Sequence, residues 1–142
     1  MKLIFCNAGS LSLTLLIALM VSGCGVDPRF PVVSAQGKLT FEDGSPLPNG
    51  TRIVLNPTEG RVGLSSATAD PEGLFTLKHV SGVPGAEIGI YTIVLQPPLQ
   101  GDGTFEKLVS RDYYSDGAFS VEVKEGMPLI ELKVKKSRPG RR

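Results

Sequence analysis

The chain has no tryptophan, a single histidine and two cysteines in 142 residues, and aromatic residues make up only 6% of it. Each shortage excludes something. The lone histidine, His79, has no second histidine or downstream cysteine to join it in a metal or catalytic centre. Both cysteines, Cys6 and Cys24, fall near the start, so no disulfide framework runs through the rest of the chain. The absence of tryptophan leaves a sugar-stacking platform poorly supplied, with Tyr113 and Tyr114 the only adjacent aromatic pair. No Gly-x-Ser-x-Gly elbow occurs, and a serine–histidine–aspartate arrangement would rest on His79 alone. Downstream of Cys24 no window of useful length shows a helical period of apolar residues.

What is present begins with a targeting pattern. Lys2 gives a short positive start, Leu11 to Val21 is an uncharged apolar run, and the small residues Ser22 and Gly23 lead to Cys24. The run is shorter than the ~20 residues a spanning helix needs. The stretch Val21-Ser22-Gly23-Cys24 resembles the lipobox of bacterial lipoproteins. That resemblance implies that the Cys24 sulfur receives a diacylglycerol, that residues 1–23 are removed, and that Cys24 becomes an acylated, palmitate-bearing N-terminus. The alternative is a plain signal peptide or membrane anchor with a chance cysteine. Each buried CH₂ contributes about 0.8 kcal/mol, and one acyl chain alone binds a bilayer only marginally, so two or three chains form a stable anchor. Gly25, where an aspartate is absent, matches the sorting default toward the outer membrane in a Gram-negative host.

Residues 24–142 amount to one domain's worth of chain, with 14 acidic residues against 14 basic ones once Lys2 is gone. Residues 24–32, with two prolines, read as a lipidated tether. Beyond it, short apolar bursts between turn signals point to an all-β fold rather than a helical bundle. The expected strands are Val33–Phe41 with Gly37 as a bulge or close approach, Thr51–Asn56, a polar near-edge strand Val62–Ala69, and Leu74–His79. Further along come a central strand Ile88–Gln96 and the alternating segments Phe119–Val123 and Leu129–Val134, which are expected to form a hairpin. Asp43-Gly44 and Asp70-Pro71-Glu72-Gly73 are turn signals. Residues 80–87 read as a Gly/Pro-rich loop, and residues 97–112 as the longest irregular segment, of the kind that is often functional. About seven strands over residues 33–135 predict a small Greek-key β-sandwich, transthyretin-like or Ig-like, ahead of a basic tail at 136–142.

Three segments carry a family resemblance: Gly37 to Thr40, Asp43 to Gly50, and Thr68 to Leu77, with Gly89-Ile90-Tyr91-Thr92-Ile93 supplying a fourth. Together they resemble the carboxypeptidase regulatory-like, or transthyretin-like, β-sandwich domain as it occurs in small planctomycete-type lipoproteins. Leu39 stands where valine is usual in that family, and Ala69 where threonine is usual. The matching motifs are turns and core positions, so they imply a fold and no chemistry. The related hydroxyisourate hydrolases carry several active-site histidines and a characteristic C-terminal tetrapeptide, whereas this chain has one histidine and ends Pro139-Gly140-Arg141-Arg142.

The remaining polar candidates are sparse. His79 is expected as a surface or strand-edge residue rather than a ligand or base. Asp43, Asp70, Glu72 and Asp102 are explained by turn chemistry and fall short of the six to eight oxygens calcium takes. Lys133, Lys135, Lys136, Arg138, Arg141 and Arg142 read as a solvated end, the alternative being contact with anionic headgroups. The expectation is therefore a non-enzymatic β-sandwich of the cell envelope, lipid-anchored through Cys24, with no catalytic residue, cofactor, metal or nucleic-acid partner. It would act as a structural or interaction module, its candidate partners an envelope protein or a polysaccharide. The alternative is a carbohydrate- or peptide-binding module.

Overall fold

A computed structural model describes residues 30–58, 63–115 and 117–137. The expected leader 1–23, Cys24, most of the tether and residues 138–142 of the basic tail lie outside the described residues. Within them the chain is all-β, in ten short strands with two brief helices. In chain order these are β1 (Val32–Val33), β2 (Gln36–Phe41), β3 (Arg52–Pro57), β4 (Ser65–Thr68), β5 (Leu74–Thr76), β6 (Lys78–His79), β7 (Ala86–Glu87) and β8 (Gly89–Gln96). Then follow α1 (Thr104–Leu108), α2 (Asp112–Ser115), β9 (Phe119–Val123) and β10 (Ile130–Val134).

The strands form a five-stranded sheet β6-β4-β3-β8-β9, a three-stranded sheet β10-β2-β5 and a two-stranded clip β1-β7. Alternation along each strand decides which residues turn into the shared core, and in β3 Val54, on the other face, is buried as well. Tyr91, Ile93 and Leu95 of β8 are fully buried, as are Ile53 and Leu55 of β3. They share one apolar cluster with Leu39 and Phe41 of β2, Phe75 of β5, and Ile130, Leu132 and Val134 of β10. The two larger sheets thus bury their inner faces in the same core. The β8 strand lies between β3 and β9, as its two-sided apolar pattern predicts, and the polar β4 lies one strand from an edge. Gly37 is a close approach: a Cβ there would stand 2.1 Å from Cζ of Phe75, its cross-strand partner.

Several expected elements differ. The single strand over 33–41 is two, because β1 and β2 serve different sheets. Leu74–His79 is also two: β5 pairs with β2, and β6 pairs with β4. The switch falls at fully buried Leu77, whose N–H donates to Ala35 O at 2.9 Å and whose carbonyl accepts from Gly85 N at 2.7 Å. Phe75, Leu77 and His79 all still face inward, so the pattern gives the face while the partner changes.

The expected hairpin of 119–123 with 129–134 does not form. The β9 strand pairs antiparallel with β8, whereas β10 runs parallel to β2, Ile130 opposite Gly37. Residues 124–129 carry the chain from one sheet to the other. Alternation fixes which side chains face the core and leaves the neighbour open, and here the two strands join different sheets.

The segment 97–112 is not irregular throughout. It holds α1, and α2 begins within it. The Asp102 carboxylate accepts from Thr104 N–H at 2.9 Å, which organises the turn into α1. Phe105 and Val109 are nearly fully buried and close the core from this side. The expected loop 80–87 ends in β7, whose residues Ala86 and Glu87 pair with Val33 and Val32.

Candidate functional site

The described residues place one titratable cluster in the interior. His79 ends β6 and Glu87 ends β7, and both are nearly inaccessible, at 2% and 1% exposure. His79 does sit at the end of an edge strand, but it is not a surface residue. Gly63 closes over its ring, since a Cβ there would meet His79 Nε2 at 2.0 Å. The Ser81 N–H donates to His79 Nδ1 at 3.1 Å. A nitrogen that accepts carries no proton, so in the neutral ring the proton falls on Nε2. That nitrogen faces Glu87 Oε1 at 3.5 Å, while Glu87 Oε2 accepts from Gly63 N at 2.7 Å. Ser81 Oγ stands 2.7 Å from Nδ1, and Ser65, itself fully buried, lies directly across the β4–β6 ladder from His79.

The same cluster reaches β8. The Tyr91 hydroxyl donates to the Glu87 carbonyl at 2.8 Å. Burial, and then the nearby Glu87 carboxylate, push the Tyr91 phenol up to about 12. The arrangement links β6, β7, β8 and the segment at Gly63, while the buried Ser65 Oγ and His79 Nε2 make no hydrogen bond among the described residues. Sequence reasoning missed Glu87, which stands at the end of a loop-like Gly/Pro-rich stretch. The one available signal was a charged residue immediately before the most apolar strand.

The other sequence-predicted residues are engaged separately. Asp43 accepts from Ser45 N and Ser45 Oγ, at 3.0 and 2.5 Å, and from the Lys136 ammonium. That ammonium also lies 5.0 Å from the Phe41 ring centroid. Asp70 accepts from Glu72 N and Leu74 N at 3.0 and 2.8 Å, the turn role its sequence predicts. Among the described residues no group of three or more His, Cys, Asp or Glu is placed to hold a metal ion. Tyr113 and Tyr114 are half-buried and turned to packing. Tyr113 lies 5.3 Å from Phe119 and accepts from Lys135 N, and Tyr114 lies 5.7 Å from Phe105.

Two open clefts, each of about 420 Å³, mark the surface. One runs along the β2–β5 edge past Gln36, Leu74 and Thr76 to Leu129. The other separates β9 from β10, with Phe119, Val121, Met127 and Leu132 among its walls. No helix among the described residues is long and apolar enough to cross a membrane. These features define an all-β domain with one shared core, a buried His–Glu pair and an open side. Comparison with known proteins adds no relative: no family model, no curated protein and no solved structure matches the chain.

Proposed function

We propose that the protein is a cell-envelope lipoprotein, held to a membrane by acyl chains on Cys24, whose domain is a non-catalytic structural or interaction module. The observation that carries this reading is the order of Lys2, the apolar run Leu11–Val21, two small residues and Cys24. In a Gram-negative host the membrane is the outer one. The domain is read as a Greek-key sandwich of the carboxypeptidase regulatory-like, transthyretin-like kind. In support, the family-like segments at 43–50 and 70–77 coincide with a turn at Asp43–Gly44 and with a turn at Asp70–Gly73 leading into β5. The two larger sheets also share a core. The module works by contacts with an envelope protein or polysaccharide and needs no cofactor, metal or nucleic acid.

Metabolic labelling with a palmitate analogue tests the anchor. The parent chain incorporates label and Cys24→Ala does not; equal incorporation in both would overturn the reading. A second reading, a carbohydrate- or peptide-binding module, draws on the open cleft between β9 and β10. Retention on immobilised polysaccharide, lost on replacing cleft residues such as Met127, would favour it.

A further inference from the structure

The overturned hairpin leaves β9 and β10 each at a sheet edge: among the described residues β9 pairs only with β8, and β10 only with β2. Which backbone groups of β9 are free follows from register. Thr58 N–H donates to Ile90 O, extending the β3–β8 ladder by one pair. The even-numbered residues of β8 therefore bond toward β3 and the odd-numbered ones toward β9. Across the β8–β9 ladder, Tyr91 pairs with Val121 and Ile93 with Phe119, so these odd residues of β9 exchange the bonds. The N–H and C=O groups of Ser120 and Glu122 then point away from the sheet. An edge with free groups, beside half-buried Phe119 and Val121, is a template for another strand.

We propose that two copies of this chain pair antiparallel through β9, about a two-fold axis at Val121. This deepens the interaction-module reading, on which it rests, by naming a second copy as the partner. The choice of occupant comes from the strand's self-complementarity. A two-fold pairing that uses the free groups must set even residues opposite even residues. The pairing centred on Val121 matches all five residues of β9: Ser120 faces Glu122 of the other copy, Phe119 faces Val123, and Val121 faces itself. A hydroxyl meets each carboxylate, and the apolar residues meet over the cleft. Moving the axis to Glu122 sets two like charges opposite one another, which is destabilising. Moving it to Val123 sets Val121 against Glu125 and runs into the turn at Glu125–Gly126.

Cysteine crosslinking of the full chain in cell envelopes tests both the pairing and its register. In the proposed arrangement Val121 and its copy form a non-hydrogen-bonded pair, with Cα atoms about 4.5 Å apart. That separation lies within the roughly 4.4–6.8 Å that a disulfide spans. Under mild oxidation Val121→Cys gives a disulfide dimer on a non-reducing gel. Glu122→Cys alone and Leu99→Cys, at an 85% exposed position away from the edge, stay at the parent's level. Co-expressed Ser120→Cys and Glu122→Cys chains, altered only at exposed positions, crosslink to each other. Dimer from Val121→Cys no greater than from Leu99→Cys, no crosslink in the co-expressed pair, or dimer from Glu122→Cys alone would each overturn the proposal. Palmitate labelling of the same chains reads the anchor independently, so loss of the crosslink with labelling intact counts against the edge pairing only.

Discussion

Asp43, in the turn after β2, and Lys136, just past β10, form an ion pair between residues 93 positions apart in the chain. Lys136 first, and then the Ser45 hydroxyl and N–H, hold the Asp43 carboxyl well below the usual carboxylate range. The pair closes the β10–β2 side of the three-stranded sheet at the end where Val134 lies opposite Phe41.

A carboxyl that stays ionised in the folded state, while the unfolded one protonates, contributes stability that is present above the unfolded value near 3.8. That contribution is lost as the pH falls below it toward the lower folded value. Asp43→Asn should therefore lose less of its thermal midpoint than the parent does when pH is lowered from 5 to about 3. The effect is small, because the pair is solvent-exposed and screened. A parallel fall in the two proteins would refute the pairing.

Tyr91 gives the opposite limb. Its phenol, raised to about 12, keeps its proton in the folded state at pH values where an unfolded tyrosine has lost it. Stability from this group is complete below pH ~10 and declines as pH rises from there toward 12. Tyrosinate absorbance during alkaline titration should show Tyr91 ionising late, toward pH 12, together with unfolding. Tyr91→Phe should remove that late step and cost about 1 kcal/mol for the hydrogen bond to Glu87 O.

Glu87→Ala strips the buried partner from His79 and releases Gly63 N–H. A loss of about 1–3 kcal/mol in denaturant unfolding is expected, the cost of leaving the Gly63 N–H without its acceptor. In a double-mutant cycle with His79→Ala, the two losses should be less than additive. Strict additivity would mean that the 3.5 Å approach carries no coupling.

Phe105→Ala should cost about 3–5 kcal/mol, since the ring is almost completely buried against the core. Leu99→Ala, on the same connection but 85% exposed, should be neutral within about 0.5 kcal/mol. Equal losses at both positions would show that α1 does not seal the core.

These sites differ in how far the sequence announces them. The turn at Asp70–Gly73, the inward faces of β3 and β8, and the place of β8 inside its sheet rather than at an edge are legible because they depend on local chemistry and a period of two. Phe105 is not, because α1 spans barely more than one turn and shows no period. The partner of β10 is not legible either: alternation in Ile130, Leu132 and Val134 suits a hairpin with β9 and a parallel pairing with β2 equally well. The His79–Glu87 pair needs the ends of two strands, β6 and β7, brought together, and nothing in the stretch of sequence between them distinguishes it from two solvated groups. Gly37 lies between these cases, marked as a close approach by its place in a strand but without a hint of Phe75.

The clip between β1 and β7 has a mechanical consequence. Among the described residues, the N-terminal end of the chain is first fastened by two residue pairs, Val32 with Glu87 and Val33 with Ala86, plus the bond from Ile88 N to Pro31 O. Tension drawn through that end loads these few bonds before it reaches any larger sheet. They would part first and let out a few residues of slack, sparing the interior from the tug of whatever holds the other end.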